Sequence, residues 1–203
     1  MVLTWYTDIM TELASTQYPS HWKSLQHQAA SIGFDMAAHA EVGALLRSLV
    51  CSKPGGHFLE LGTGIGASLC WMVEGMDDQS HLISIDNDPQ LCEIVSGYYQ
   101  GNPQVLIQCM DGAQWIDHYQ GQSFDLIFAD AWPGKYSHLQ QTLDLLKTGG
   151  LYVIDDMNPQ PNWPAGHEKK AEALLKELHE RPELKVTYLD WGTGVVLATK
   201  ANI

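Results

Sequence analysis

Two sets of residues in this chain have types and spacings that could do chemistry. The first is Gly62, Gly64 and Gly66, at alternate positions directly after the apolar run Phe58 to Leu61. Glycine there lets the backbone turn sharply and lets a ligand approach it closely. Leu69, Met72, Val73 and Met76 follow at i, i+3, i+4 and i+7, the spacing of one helix face. A strand, a glycine turn and a helix in that order place unpaired helix N–H groups where they can receive an anionic group. A second apolar run, Leu82 to Ile85, ends in Asp86, and an acid at the tip of a second strand accepts hydrogen bonds from ribose hydroxyls. A nucleoside-containing cofactor lying over Gly62 to Gly66 is the reading these residues support. Gly62, Gly64 and Ala67 also satisfy the dinucleotide fingerprint G-x-G-x-x-A, so the spacing alone leaves the cofactor open.

The second set is acidic. Asp86, Asp130 and the pair Asp155–Asp156 each end an apolar run, and Asp111 lies just past another. In open α/β sheets, ligands sit beyond the carboxyl ends of the strands. Neighbouring strands lie about 5 Å apart, so Asp130, Asp155 and Asp156 could converge. Unpaired carboxylates that close repel one another and raise each other's pKa. A hard divalent cation such as Mg²⁺, Mn²⁺ or Ca²⁺ removes that repulsion. The alternative is that Asp156 caps a loop and only Asp130 faces the site.

These residues need elements to hold them. Val42, Leu45, Leu46 and Leu49 predict a helix over residues 36–50, broken by Pro54-Gly55-Gly56. Strands are expected at 58–61, 81–86, 104–109, 124–129 and 151–154, with helices between them. The near-continuous apolar run Phe124 to Ala129 suits a strand covered on both faces. Tyr136, Leu139, Leu143 and Leu146 predict one helix stopped by Gly149-Gly150, and Ala171, Leu174, Leu175 and Leu178 another that ends near Pro182. Two last strands, 184–189 and 195–199, are joined by a link too short for a parallel crossover, so they form an antiparallel hairpin. The sum is a doubly wound, Rossmann-like α/β sheet with an antiparallel addition. Residues 1–35, with Trp5, Tyr6, Tyr18 and Trp22, read as a helical segment that caps the domain, lines a substrate entrance or meets a second subunit, and residues 36–203 as the catalytic domain.

At 203 residues the chain is long enough for one sizeable core. The net charge is −13, and no Lys or Arg occurs between Lys53 and Lys135. That half of the chain offers no cations and should repel polyanions, which argues against nucleic acid as a partner. The same gap argues against a 2′-phosphorylated dinucleotide and is compatible with a cationic cofactor. No signal peptide or membrane span is expected, and Cys51, Cys70, Cys92 and Cys109 read as reduced core residues of a cytoplasmic protein.

The glycine spacing after Glu60-Leu61 resembles the first motif of S-adenosylmethionine-dependent methyltransferases. The run Phe124-Asp125-Leu126-Ile127-Phe128-Ala129-Asp130, with Tyr136 and then Gly149-Gly150 and Asp155-Asp156, resembles the cation-dependent, catechol-type O-methyltransferases. Their pattern is F-D-x-x-F-x-D-x-x-K-x-x-Y followed by G-G-x-x-x-x-D-N. The resemblance covers about residues 36 to 200. It implies seven strands with the last pair antiparallel, S-adenosylmethionine as cofactor, a small hydroxylated acceptor, aromatic or otherwise flat, and a homodimer. By position it implies cofactor contacts at Glu60, Gly62, Thr63, Gly64, Gly66, Ser68, Asp86, Asn87, Asp111, Gly112, Ala113 and Asp130. It implies Asp130, Asp155 and Asp156 as ligands of Mg²⁺ or a similar ion, which would acidify and aim the acceptor hydroxyl.

Two positions depart from the pattern. The family lysine falls at Pro133, with Lys135 two residues on, and the family asparagine is Asp156. Lys135 either supplies the missing amine, with Asp130 the other catalytic group, or is a solvated lysine at a helix start. If no metal is held, Asp130 or His167 is the general base. Trp132, Trp163 and His167 are the expected substrate contacts. Two rivals remain: a non-catalytic S-adenosylmethionine-binding protein and an NAD-dependent oxidoreductase.

Overall fold

The computed structural model describes residues 18–161 and 163–202. The expected roles of Trp5 and Tyr6 lie outside the described residues. The chain begins with α1 (Trp22–Ile32) and α2 (Ala40–Cys51), then alternates β1 (His57–Leu61), α3 (Ala67–Gly75), β2 (His81–Asp86), α4 (Pro89–Tyr99), β3 (Val105–Cys109), α5 (Gly112–His118) and β4 (Phe124–Ala129). It continues through α6 (Leu139–Asp144), β5 (Leu146–Ile154), α7 (His167–Glu180), β6 (Leu184–Leu189) and β7 (Val195–Lys200). The seven strands form one sheet in the order β3-β2-β1-β4-β5-β7-β6. β1 to β5 pair in parallel, and β7 runs antiparallel between β5 and β6.

Successive strand residues point to opposite faces, and here each face has its own core. Leu59, Leu61, Ile127, Ala129, Tyr152 and Ile154 pack with α5, α6 and α7. Phe58, Leu82, Leu126, Phe128 and Val153 pack with α2, α3 and α4. The chain order reverses between β1 and its neighbours β2 and β4, which opens a crevice at the carboxyl ends of β1 and β4. Both sets of chemically suggestive residues end there.

Three expectations are corrected. The helix expected from Tyr136 to Gly149 covers only Leu139–Asp144. Leu146 already belongs to β5, and the ladder passes from Phe124–Leu146 to Leu126–Leu151 across a bulge that contains Gly149 at φ 77°. Leu143 and Leu146 share a core, so both satisfy a helical spacing although one lies on a strand. Tyr136 lies in a turn before the helix, where its N–H and that of Lys135 both donate to the Trp132 carbonyl, at 3.0 and 3.3 Å. The cysteines are all free, as expected, but Cys51 and Cys109 are exposed rather than in the core.

The segment before α2 also finds its place. Leu25 of α1 packs on Cys70 and Trp71 of α3. Tyr18 and Trp22 stack with their centroids 5.6 Å apart, and both meet Trp71 edge-on. Residues 34–39 then run to α2 without regular structure. No helix among the described residues is long and apolar enough to cross a membrane.

Candidate active site

The glycine turn is fixed from two sides. The Gly62 and Thr63 N–H groups donate to the Ile85 carbonyl at 2.9 and 3.2 Å, and the Asp130 N–H donates to the Leu61 carbonyl at 2.8 Å. Gly62 has φ 101°, and a Cβ there would sit 2.6 Å from the Asp130 carbonyl oxygen. Only glycine fits both the conformation and the close backbone approach. The Asp86 carboxylate accepts the Gly64 N–H at 2.7 Å and the Asp88 N–H at 2.9 Å. It therefore ties β2 to the glycine turn while its lone pairs also border the crevice.

Beneath the turn lies a buried polar chain. Glu60 is fully buried and accepts from Ser68 Oγ at 2.6 Å and Ser84 Oγ at 2.5 Å, and Ser84 in turn meets Thr63 Oγ1 at 2.5 Å. Burial pushes the Glu60 carboxyl up to about 7 against the opposing pull of the two serine hydroxyls. The Ser68 hydroxyl thus points to Glu60, although the residue borders the crevice.

The crevice itself is a cleft of about 440 Å³. Of the expected contacts, Gly62, Thr63, Gly64, Ser68, Asp86, Asn87, Asp111, Gly112, Asp130, Trp132 and Asp156 line it. Glu60, Gly66, Ala113, Asp155 and Lys135 do not, nor do Trp163 and His167. Gly66 instead precedes α3 at φ 82°, and Asp111 caps α5 by accepting the Gln114 N–H at 3.0 Å. The fourth wall is Phe34, Met36, Ala37 and Ala38, of which only Phe34 lies in the segment expected to reach a substrate entrance, and none was singled out as a contact. Those residues have no periodic pattern, and nothing in their types marks them as ligand contacts. Leu91 and Asp88 were also missed, since they read as a helix face and a cap.

Next to the cleft is an aromatic group. Trp132 is 45% exposed. Its ring lies 4.9 Å from Tyr136 and 5.6 Å from His167, and His167 lies 4.3 Å from Trp163. His167 Nε2 is 3.2 Å from the Tyr136 hydroxyl. Burial and the charges of Lys135 and Lys170 pull the His167 pKa down, which keeps the ring neutral at neutral pH. The Lys170 amino group stands 4.4 Å over the Trp132 ring. Sequence proximity gave Trp132 and Tyr136; the loop and α7 bring Trp163 and His167 to them.

The acids at the ends of β4 and β5 are not arranged as the metal reading requires. Asp155 is 1% exposed, and its Oδ1 accepts the Thr193 hydroxyl at 2.5 Å and the Asp156 N–H at 2.8 Å. Asp156 takes a left-handed backbone, φ 58°, and faces the cleft while Asp155 faces the β6–β7 link. Among the described residues, no three His, Cys, Asp or Glu side chains are grouped so that they could hold a metal ion. The donor set Asp130, Asp155 and Asp156 therefore does not fit a divalent cation in this arrangement. Burial raises the Asp130 carboxyl well above the usual carboxylate range, opposed by Lys135 and reinforced by Asp155, Asp156 and Glu60. Lys135 is 5% exposed, which rules out the solvated alternative, and its Nζ donates to the Asp155 carbonyl at 2.7 Å.

Comparison with known proteins agrees with this geometry. The pattern of a family described as O-methyltransferase matches residues 13–201. A Mycobacterium marinum protein named as a presumed O-methyltransferase is 26% identical over 188 residues, covering 88% of this chain and 84% of that protein. The crystal structure of an O-methyltransferase from Bacillus cereus in complex with SAH superposes with a TM-score of 0.81 at 19% identity, covering 98% of this chain and 100% of that one. The O-methyltransferase TomG from Streptomyces achromogenes, involved in tomaymycin synthesis and solved with SAM, gives a TM-score of 0.79 at 20% identity, with 92% of each chain covered. At these identities the two structures speak for the fold.

Proposed function

The chain belongs to the O-methyltransferase family, and we propose that it moves the methyl group of S-adenosylmethionine to a hydroxyl of a small aromatic molecule. The observation that carries this reading is the cleft, with its glycine turn and Asp86 at one end and Asp130 and Trp132 at the other. Asp86 is placed to hold the ribose, since its carboxylate already orients the turn. The helix start after Gly66 and the acids of the crevice suit a cofactor with an anionic carboxylate and a cationic sulfur. Lining by Phe34, Ala37 and Leu91 gives the apolar surface that the purine needs.

The acceptor binds over Trp132, Tyr136, Trp163 and His167. Flat rings pack edge-on or offset against such a group. In the transfer, the acceptor oxygen bonds to the methyl carbon in line with sulfur. The carbon–sulfur bond breaks, its electron pair stays on sulfur, and S-adenosylhomocysteine leaves as a neutral thioether. The hydroxyl proton passes to a base at the site. His167 is that base, because it is neutral, partly buried and held by Tyr136. Asp130 shapes the cleft floor between cofactor and acceptor. Most of the rate then comes from holding oxygen and methyl in line.

The test is methyl transfer from labelled S-adenosylmethionine to a panel of monophenols and catechols. The reading expects a methyl ether product from at least one phenol, with His167→Asn slowing turnover and leaving cofactor binding unchanged. Cofactor binding with no product from any hydroxylated acceptor would return the chain to a non-catalytic binding protein. A second copy of the chain as partner, and a cytoplasmic site of action, remain part of the proposal.

A further inference from the structure

The family resemblance asks for a divalent cation among Asp130, Asp155 and Asp156, and the structure puts a buried lysine amine on the main-chain carbonyl of Asp155. Residues 132–136 form a tight turn. The Gly134 N–H donates to the Ser137 carbonyl at 2.8 Å, and Gly134 has φ 91° with no room for a Cβ, which would stand 2.5 Å from Leu61 Cδ1. Pro133 fixes its own φ and offers no N–H. The turn carries the lysine two positions past the family lysine and sends its side chain inward. Its Nζ ends at the Asp155 carbonyl, 2.7 Å away and out of solvent.

Two observations argue that this amine is not a base on the acceptor. It does not line the cleft. It already donates to a main-chain oxygen at the end of β5. Meanwhile Asp155 Oδ1 already accepts the Thr193 hydroxyl and the Asp156 N–H.

We propose that Lys135 is the resident cation of this site, in the place the resemblance gives to a metal ion, and that methyl transfer here needs no divalent cation. The proposal rests on the reading of the chain as an S-adenosylmethionine-dependent O-methyltransferase. It has a consequence for the acceptor. A metal that activates a catechol grips two adjacent oxygens. Without one, a single phenolic hydroxyl is sufficient, provided a base such as His167 takes its proton. The structure thus favours monophenols, with no requirement for an ortho hydroxyl. Lys135 is a positioning residue here: its amine holds the end of β5 in place through the Asp155 carbonyl.

The experiment is Mn²⁺ titration of the protein saturated with S-adenosylhomocysteine, followed by the electron paramagnetic resonance of free Mn²⁺. The same titration is run on Lys135→Met and Lys135→Arg. Cofactor affinity is measured by calorimetry on each. The wild type and Lys135→Arg are expected to leave the free Mn²⁺ signal unchanged, and a chelator is expected to leave phenol methylation unchanged. Lys135→Met, with the buried positive charge removed, is expected to take up Mn²⁺. Stoichiometric Mn²⁺ uptake by the wild type, lost in Asp130→Asn, overturns the proposal. So does a folded Lys135→Met that binds cofactor normally, takes up no Mn²⁺ and methylates at the wild-type rate. If Lys135→Met does not fold, the wild-type titration and the chelator result decide. Failure of the parent reading looks different: the wild type would then bind no S-adenosylmethionine at all.

Discussion

Glu60 is a buried acid whose protonation sets a measurable pH dependence of stability. It lies on β1, fully buried, and accepts hydroxyl hydrogen bonds from Ser68 and Ser84. Burial raises its pKa from an ordinary 4.5 to about 7. Between those two values the native protein holds a proton that the unfolded chain has released. Stability contributed by the neutral acid is therefore full below pH 4.5 and falls as pH rises towards 7. The shift corresponds to roughly 3 kcal/mol lost across that window, after which the curve levels off. Glu60→Gln removes the titration. Its amide oxygen accepts one serine hydroxyl, and its NH₂ donates to the other, with Ser84 then donating to Thr63. The assay is urea unfolding of both proteins in steps from about pH 5 to about pH 8, with stability extrapolated to water. The nine histidines titrate in the same range, but they are common to both chains, so the difference between the curves isolates Glu60. The two curves are expected to converge at low pH and to diverge by about 3 kcal/mol in favour of the glutamine variant at pH 7 and above. Parallel curves would refute the reasoning and mean that Glu60 is ionised in the folded protein.

Asp86→Ala removes the acceptor for the Gly64 and Asp88 N–H groups as well as the proposed ribose contact. At roughly 1.5–3 kcal/mol for a hydrogen bond to a charged group, calorimetry should show S-adenosylmethionine affinity lower by about ten- to a hundredfold. Gly62→Ala forces a Cβ to 2.6 Å from the Asp130 carbonyl at φ 101°, and thermal unfolding should report a loss of at least about 1–3 kcal/mol. Thr193→Val leaves Asp155 Oδ1 with only the Asp156 N–H, so urea unfolding should show about 1–3 kcal/mol less stability. His167→Asn should lower kcat by roughly 10²–10⁴ without changing cofactor affinity, and the acidic limb of the wild-type rate profile should fall below the ordinary histidine pKa of 6.5.

The parts of the fold legible in the sequence are those with a repeating apolar pattern and a chemical stop. β2 and β4 end where Asp86 and Asp130 follow apolar runs, and the glycine spacing located the turn that lines the cleft. The β6–β7 hairpin followed from a link too short for a crossover. The failure at Leu146 has a clear cause. A residue on a bulged strand can share a core with a helix face, and spacing along the chain does not distinguish them. The wall formed by Phe34 to Ala38 was hidden because its contacts are all tertiary. Charge type at the strand ends was visible, but its arrangement was not. Asp155 turns to Thr193, far along the chain, and the amine of Lys135 comes in through a turn whose shape depends on Gly134 packing against Leu61. Each of those facts is a long-range contact that no local pattern encodes.

The most direct test of the functional account is calorimetric titration of the wild-type protein with S-adenosylmethionine, with S-adenosylhomocysteine and with NADH as separate ligands. The account predicts saturable one-site binding of the first two, weakened in Asp86→Ala, and no binding of NADH. Saturable NADH binding with no response to S-adenosylmethionine would contradict it.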